Sequence, residues 1–240
     1  MSGIGQAGKL PQYTRANVFN SLHGRAMPPA IGAKITNPQL NVIVIGGDGD
    51  GYGEGGNHTI HAMRRNHDLA YLVHDNQVYA LTKGQASPTS DQGFKSKTTP
   101  HGTSPAVNPV ALAITMGATF VARGFSGDID FLTQLIVQGV RHKGFSHIDI
   151  LQPCVTFNHV NTLAWYAQRV YKLDTAYDPT DRLRAMAKAW EWGEHIPTGV
   201  IYRQEGVPSY EEKAGLFKGE AIARYELSPK AAEMLAVEFE

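Results

Sequence analysis

The residues Val42-Ile43-Val44-Ile45, followed at once by Gly46-Gly47-Asp48-Gly49-Asp50, constrain this chain more than any other stretch. An unbroken β-branched run without polar alternation forms a strand covered on both faces. Strands of that kind belong to parallel sheets, whose connections run through helices. The next residues supply the helix. Asn57 to Asn66 carries Ile60, Met63 and Arg64 at helical spacing, and Arg64-Arg65 suit a last turn through the helix dipole. A second apolar run, Leu69-Ala70-Tyr71-Leu72-Val73, then ends in Asp75-Asn76. Strand, helix, strand with short links is a βαβ unit, so the two strands are predicted to be parallel neighbours.

The same rhythm continues. Gly24–Lys34 predicts a short helix opening after Pro28-Pro29, because proline is tolerated in a first turn. Helices are predicted over Pro109–Met116, over Asp128–His142, with Leu132, Leu135, Ile136, Gly139 and Val140 on one stripe, and near Thr162–Lys172. Strands are predicted over Ala118–Ala122, His147–Leu151 and near Thr198–Arg203. Tyr79 to Asn108 is polar throughout, and a loop that long is either functional or disordered. The expectation is one α/β domain, doubly wound around a mostly parallel sheet, over residues 1–210, with a C-terminal extension over 211–240.

Composition narrows the function classes. The 240 residues include one cysteine, Cys154, which excludes an intrachain disulfide and a four-cysteine zinc site. Lys plus Arg and Asp plus Glu are 22 each, which lacks the basic excess of a nucleic-acid footprint. No apolar run is long enough for a membrane span, and no basic segment followed by an apolar run opens the chain as a signal peptide would. The expected compartment is the cytoplasm, with neither nucleic acid nor membrane as a partner.

Open parallel sheets bind ligands beyond the carboxyl ends of their strands. Asp48 and Asp75-Asn76 stand there, at the ends of two strands predicted to be neighbours. A helix that follows the glycines directs free N–H groups at an anion, and a carboxylate beside an amide oxygen suits Mg²⁺ bridging to phosphate oxygens. One reading is therefore a Mg–diphosphate site. A second is a dinucleotide site, since Gly51-Tyr52-Gly53-Glu54-Gly55-Gly56 satisfies G-x-G-x-x-G and Asp75 follows about twenty residues on. The intervening Gly46 to Asp50 separate that motif from its strand. A third is a glycine-rich turn with capping aspartates. His58 and His61, three apart on a helix, lack a third ligand in register and read as helix surface or interface. Trp165, Trp190 and Trp192 read as core or interface aromatics.

Gly47-Asp48-Gly49, a helix, a strand and then Asn76 resemble the thiamine-diphosphate motif. Around it, in order, stand Ser2-Gly3-Ile4-Gly5, Leu22-His23-Gly24-Arg25-Ala26, Arg64-Arg65-Asn66 and Tyr79-Ala80-Leu81-Thr82-Lys83-Gly84-Gln85-Ala86-Ser87-Pro88-Thr89-Ser90. Together these segments resemble the β subunit of the 2-oxoacid:ferredoxin oxidoreductases, over most of residues 2 to 210.

That resemblance implies a thiamine-diphosphate-binding (pyrophosphate-domain) fold and a division of labour among residues. Asp48, Asn76 and the backbone carbonyl of Val78 would hold Mg²⁺. Gly47, Gly49 and Asp50 would line the diphosphate pocket, Leu81 and Thr82 would finish it, and Gly5 and His23 match segments that approach the cofactor. Lys9 and Lys83 match lysines near the 2-oxoacid carboxylate or coenzyme A. Read alone, both lysines are equally solvated loop charges, and His23 a structural histidine. The glutamate that activates the aminopyrimidine ring would come from another subunit, so the chain would be half of an active site and inactive alone. The implied partners are an α subunit, with or without a γ subunit, and ferredoxin or a similar electron acceptor.

Family β subunits that bind a four-iron cluster have a cysteine after Gly-Ile-Gly, where this sequence has Gln6, and a distal one that Cys154 resembles. The region of the N-terminal pair is absent, and truncation or a natural cluster-less variant would each account for that. Gln6 favours the variant. An intact four-iron cluster is not expected from this chain. Three functions follow: a Mg–thiamine-diphosphate subunit that oxidatively decarboxylates a 2-oxoacid with coenzyme A, a degenerate subunit that keeps fold and interface, and a dinucleotide-binding dehydrogenase.

Overall fold

The computed structural model describes residues 1–216 together with Ala221 and Pro229. A 3₁₀ helix over Ala7–Tyr13 is followed by α1 (Met27–Thr36), β1 (Ile43–Gly47), a π turn (Gly49–Glu54), α2 (Gly56–Arg65) and β2 (Leu69–Asp75). A small hairpin, β3 (Val78–Tyr79) and β4 (Gln85–Ala86), comes next. After it come α3 (Pro109–Thr115), β5 (Phe120–Phe125), α4 (Ile129–Arg141) and β6 (Phe145–Leu151). The described chain finishes with α5 (Leu163–Ala167), β7 (Val170–Lys172), α6 (Arg182–Ala189), β8 (Ile196–Arg203) and α7 (Tyr210–Lys213).

The main sheet has the order β1-β2-β6-β5-β8-β7. The first four strands are parallel, with Val44 opposite Tyr71, Val73 opposite Asp149 and Asp149 opposite Arg123. β8 runs antiparallel to β5, and β7 is parallel to β8. The sheet is mostly parallel, as its β-branched strands require, with a reversed pair at one edge. Residues 1–3 lie alongside β1: Ser2 bridges Ile45 in parallel, and the Gly3 N–H donates to the Ile45 carbonyl at 2.8 Å. The chain start therefore reaches the carboxyl end of the sheet beside β1.

Alternation splits the buried side chains between two faces. Val44, Tyr71, Val73 and Val121 pack with Ala62 and Met63 of α2 and Val110 and Ile114 of α3. Leu72, Phe120, Ala122 and Ile148 pack on the other face with Leu132 and Ile136 of α4. Each such large apolar side chain contributes about 1.5–3 kcal/mol on burial.

Three expectations need correction. The helix near Thr162–Lys172 stops at Ala167, and Val170–Lys172 forms β7, pairing with β8. The strand near Thr198–Arg203 starts earlier, at Ile196, and is antiparallel to its neighbour β5. The helix α6 lies between predicted elements; Asp181 caps it by accepting from the Leu183 and Arg184 N–H groups.

The long polar segment has two parts. Ser87, Thr89 and Ser90 are buried, whereas no residue from 91 to 108 is. The boundary expected at residue 210 falls inside α7, whose Glu211 is buried against His67 (2.8 Å) and the Asp68 N–H (3.0 Å). From 217 onward the expected extension lies outside the described residues, apart from Ala221 and Pro229. Among the described residues no helix is long and apolar enough to cross a membrane.

Candidate active site

β1 passes into helix without a connecting loop. Gly47 ends the strand, and Asp48 already has helical angles (φ −59°, ψ −48°). The backbone then widens into the π turn before α2, a departure from regular helix common at functional sites. Gly49 is required for packing, since a Cβ there would stand 2.3 Å from the Tyr79 ring. The first N–H groups of this helical run have no partner four residues back, a polarity that suits an anion, and the Gly49 backbone bonds the Asp48 carboxyl.

Asp48 is buried, and burial pushes its carboxyl above the ordinary range. Its Oδ2 lies 2.8 Å from the Thr89 hydroxyl, which lies 2.7 Å from Asp75 Oδ1. A hydroxyl has one proton, so Thr89 donates to one carboxyl group and accepts from the other. Burial, together with the charges of Asp149 and Asp48, holds the Asp75 carboxyl well above its usual range.

The second strand end is a tight turn. Gln77 has φ +60°, which is costly for a residue with a side chain. Its surroundings fix it there. The Gln77 N–H donates to Asp75 Oδ1 (3.1 Å), its Nε2 donates to the Thr89 carbonyl (2.7 Å) and to Asp91 (3.1 Å), and its Oε1 accepts from the Tyr166 hydroxyl (3.0 Å). The turn sets Asn76 and Val78 on either side of Gln77, with Asn76 Oδ1 accepting from the Val78 N–H at 3.1 Å.

Behind this pair lies a polar network inside the sheet. The Tyr52 hydroxyl is 2.9 Å from Asp149 Oδ1 and 3.0 Å from His147 Nε2. Burial pushes the His147 imidazole down to about 3, so the ring is neutral at ordinary pH. Tyr52 gives its one proton to Asp149, which assigns the His147 proton to Nε2 and leaves Nδ1 as a lone pair without a partner among the described residues.

The third wall comes from the chain start. Asp50 Oδ1 accepts from the Ile4 N–H (3.1 Å) and the Gly24 N–H (2.8 Å), and lies 3.0 Å from His23 Nδ1. One buried carboxylate thus fastens two early segments to the π turn.

Between these walls is an open cleft. Ten of the residues singled out from the sequence line it: Gly5, His23, Gly47, Asp48, Gly49, Asp50, Asn76, Val78, Leu81 and Thr82. Lys9 and Lys83 do not. Both are exposed, Lys9 on the 3₁₀ helix after Ala7 and Lys83 on the β3–β4 turn after Thr82, so they stand beyond lining residues. Ile4, Gln6, Tyr79 and Ala80, quoted from the sequence without a pocket role, also line the cleft, as do Ala7 and His74, which the sequence did not single out. Gln6 Oε1 accepts from Gln152 Nε2, and Gln152 Oε1 meets His74 Nδ1, so the residue after Gly-Ile-Gly is joined by hydrogen bonds to the end of β2.

The G-x-G-x-x-G reading fails on space. Cβ atoms at Gly51 and Gly53 would lie 1.8 Å and 2.2 Å from the hydroxyls of Tyr71 and Tyr79, so no pyrophosphate approaches these glycines. Asp75 is turned to Thr89 and Gln77. His58 is half-buried and His61 exposed, and among the described residues no three His, Cys, Asp or Glu side chains converge on a metal position. Trp190 and Trp192 are exposed, and Trp165 is half-buried against the core cluster of Phe125, Leu151, Tyr166 and Ile196.

Asp48, Asn76 and Val78, the residues that the resemblance assigns to a cation, all line the cleft and would offer it three oxygen donors. That is too few for a self-sufficient metal site. It fits Mg²⁺, which takes one or two protein carboxylates and completes its shell with phosphate oxygens and water.

Residues 3–150 match the family model of the thiamine pyrophosphate enzyme C-terminal TPP binding domain. Residues 154–219 match the model for the C-terminal part of the pyruvate ferredoxin oxidoreductase beta subunit. The chain is 49% identical to a 2-oxoacid:ferredoxin oxidoreductase subunit beta from Sulfolobus sp, over 89% of this chain and 74% of that protein. It is 47% identical to the protein of the same description from Saccharolobus solfataricus, again over 89% and 74%. Its fold is similar to that of a solved 2-oxoglutarate:ferredoxin oxidoreductase from Magnetococcus marinus, which has 2-oxoglutarate, coenzyme A and succinyl-CoA bound. The TM-score is 0.88 at 34% identity, covering 98% of this chain and 80% of that one.

Proposed function

The chain belongs to the β subunits of the 2-oxoacid:ferredoxin oxidoreductases, and from that membership we propose that its cleft binds Mg–thiamine diphosphate for the oxidative decarboxylation of a 2-oxoacid with coenzyme A. One observation carries the reading. Asp48 and the Asn76–Val78 turn, from strand ends far apart in sequence, meet in one cleft at the start of a helix.

Asp48, Asn76 and the Val78 carbonyl hold the cation. The N–H groups at Gly49 and Asp50 take phosphate oxygens, and Gly47 keeps the approach open. Ile4, Leu81 and Thr82 give the cofactor its less polar wall. Bound thiamine diphosphate supplies the electron sink that a 2-oxoacid lacks for loss of CO₂. His23, Lys9 and Lys83 offer donors or cations to the substrate carboxylate or to coenzyme A from the rim.

The glutamate for the aminopyrimidine ring comes from a partner subunit of α type, and ferredoxin or a similar carrier takes the electrons, in the cytoplasm. A four-iron cluster needs more thiolates than this sequence's single cysteine provides, and Gln6 is already engaged with Gln152. Electron transfer through a cluster would therefore rely on cysteines outside these 240 residues.

The test is calorimetry of thiamine diphosphate with Mg²⁺ on the chain co-purified with its partner. Asp48→Ala and Asn76→Ala are expected to abolish binding. Unchanged affinity in both would overturn the assignment, and 2-oxoacid-dependent viologen reduction by the complex separates an active subunit from a degenerate one.

A further inference from the structure

We propose that Thr89 is the positioning residue that locks the two cation-binding segments together, through a hydroxyl held between Asp48 Oδ2 and Asp75 Oδ1. The inference rests on Asp48 being a ligand of the divalent cation, as read above.

The observations are geometric. The Thr89 hydroxyl lies 2.8 Å from Asp48 at the end of β1 and 2.7 Å from Asp75 at the end of β2. The Thr89 carbonyl, on the same residue, accepts from Gln77 Nε2 at 2.7 Å, and Gln77 is the left-handed residue between Asn76 and Val78. Thr89 therefore touches the Asp48 side with its side chain and the Asn76–Val78 side with its backbone.

Its own placement is fixed independently. The Ser87 N–H donates to Ser90 Oγ at 2.9 Å, and Ser90 Oγ in turn donates to the Gln77 carbonyl. Thr89 is buried, and its β-branched side chain has few rotamers open to it. A ligating carboxylate depends on such outer hydrogen bonds for its direction. With Oδ2 engaged by Thr89 and the carboxyl further bonded by Ser87 and by the backbone of Gly49 and Asn76, Asp48 is held as a unit with the turn. Losing a partner of this kind costs about 10–100-fold in metal affinity.

The experiment follows Mn²⁺ as the probe cation, by loss of its free-ion EPR signal, with thiamine diphosphate present and the chain in complex with its partner subunit. Thr89→Val keeps the shape and removes the hydroxyl, and is expected to weaken Mn²⁺ binding about 10–100-fold. Thr89→Ser keeps the hydroxyl and is expected to bind close to the wild-type affinity. Melting of the metal-free complex checks folding, and Thr89→Ala serves as a second hydroxyl deletion should the valine variant fail to fold. Wild-type affinity in a folded Thr89→Val overturns the proposal. So does an equal loss in Thr89→Ser and Thr89→Val, which would reveal a packing role. Asp48→Ala separates the two levels. If it leaves Mn²⁺ binding intact, the metal-site reading falls; if it abolishes binding while Thr89→Val does not, the inference about Thr89 falls alone.

Discussion

The Tyr52 hydroxyl donates to Asp149 Oδ1 at 2.9 Å and so ties the π turn after Asp48 to the middle of β6. Tyr52→Phe removes the donor and leaves a buried carboxylate short of a partner. Urea denaturation is expected to read a loss of about 1–3 kcal/mol. A stability equal to wild type would mean that the turn is held by apolar packing alone.

Asp149 also gives a pH dependence with a definite sign. Burial raises its carboxyl to about 6 from an ordinary 3.8, against the lowering effect of Arg123 and Tyr52. Between those values the folded protein holds a proton that the unfolded chain has released. Its contribution to stability therefore falls as pH rises from about 4 to about 6 and is level above. Asp149→Asn cannot titrate. The difference between variant and wild type, from melts across about pH 4 to about pH 8, should shift in favour of the variant as pH rises through that window. A pH-independent difference would remove Asp149 as the group responsible.

Gly49 faces the Tyr79 ring at a distance that admits no Cβ. Gly49→Ala is expected to cost about 1–3 kcal/mol as the ring is displaced. Since Tyr79 and Gly49 both line the cleft, thiamine diphosphate affinity in the assembled complex should fall as well. Adding Tyr79→Ala should recover most of the stability. Failure to recover would locate the strain in the backbone of the π turn.

Glu211 meets His67 and the Asp68 N–H in a buried setting at the opposite end of the strands from the cleft. Glu211→Ala leaves those groups without their acceptor and is expected to cost about 3–5 kcal/mol. Cofactor affinity per folded molecule should be unchanged, which calorimetry on the assembled complex checks.

The parts legible in the sequence are those where one local rule dominates. Val42–Ile45 admits few structures other than a doubly covered strand, and the helix and strand after it leave Asp48 and Asn76 one place to meet. The reversed direction of β8 depends on its neighbours in space and has no local signature. Val170-Tyr171-Lys172 reads on from a helical stretch, and only pairing with β8 makes it a strand. α6 carries Leu183 exposed to solvent, so its apolar stripe is weak. Thr89 stands in a polar run where every hydroxyl looks solvated; its partner Asp48 is 41 residues away. Lys9 and Lys83 have the charge that an anionic substrate needs, but the fold leaves them exposed outside the cleft lining.

The division of the polar segment into a buried and an uncovered part has a practical consequence. Ser87–Ser90 bonds to Asp48, Asp75 and Gln77, so added residues there would separate the two ligand segments. Residues 95–101 have no buried side chain, and their hydrogen bonds are local. A peptide tag or fluorophore for following assembly with the partner belongs at 95–101, where the chain has slack that the neighbouring Ser-Pro-Thr-Ser lacks.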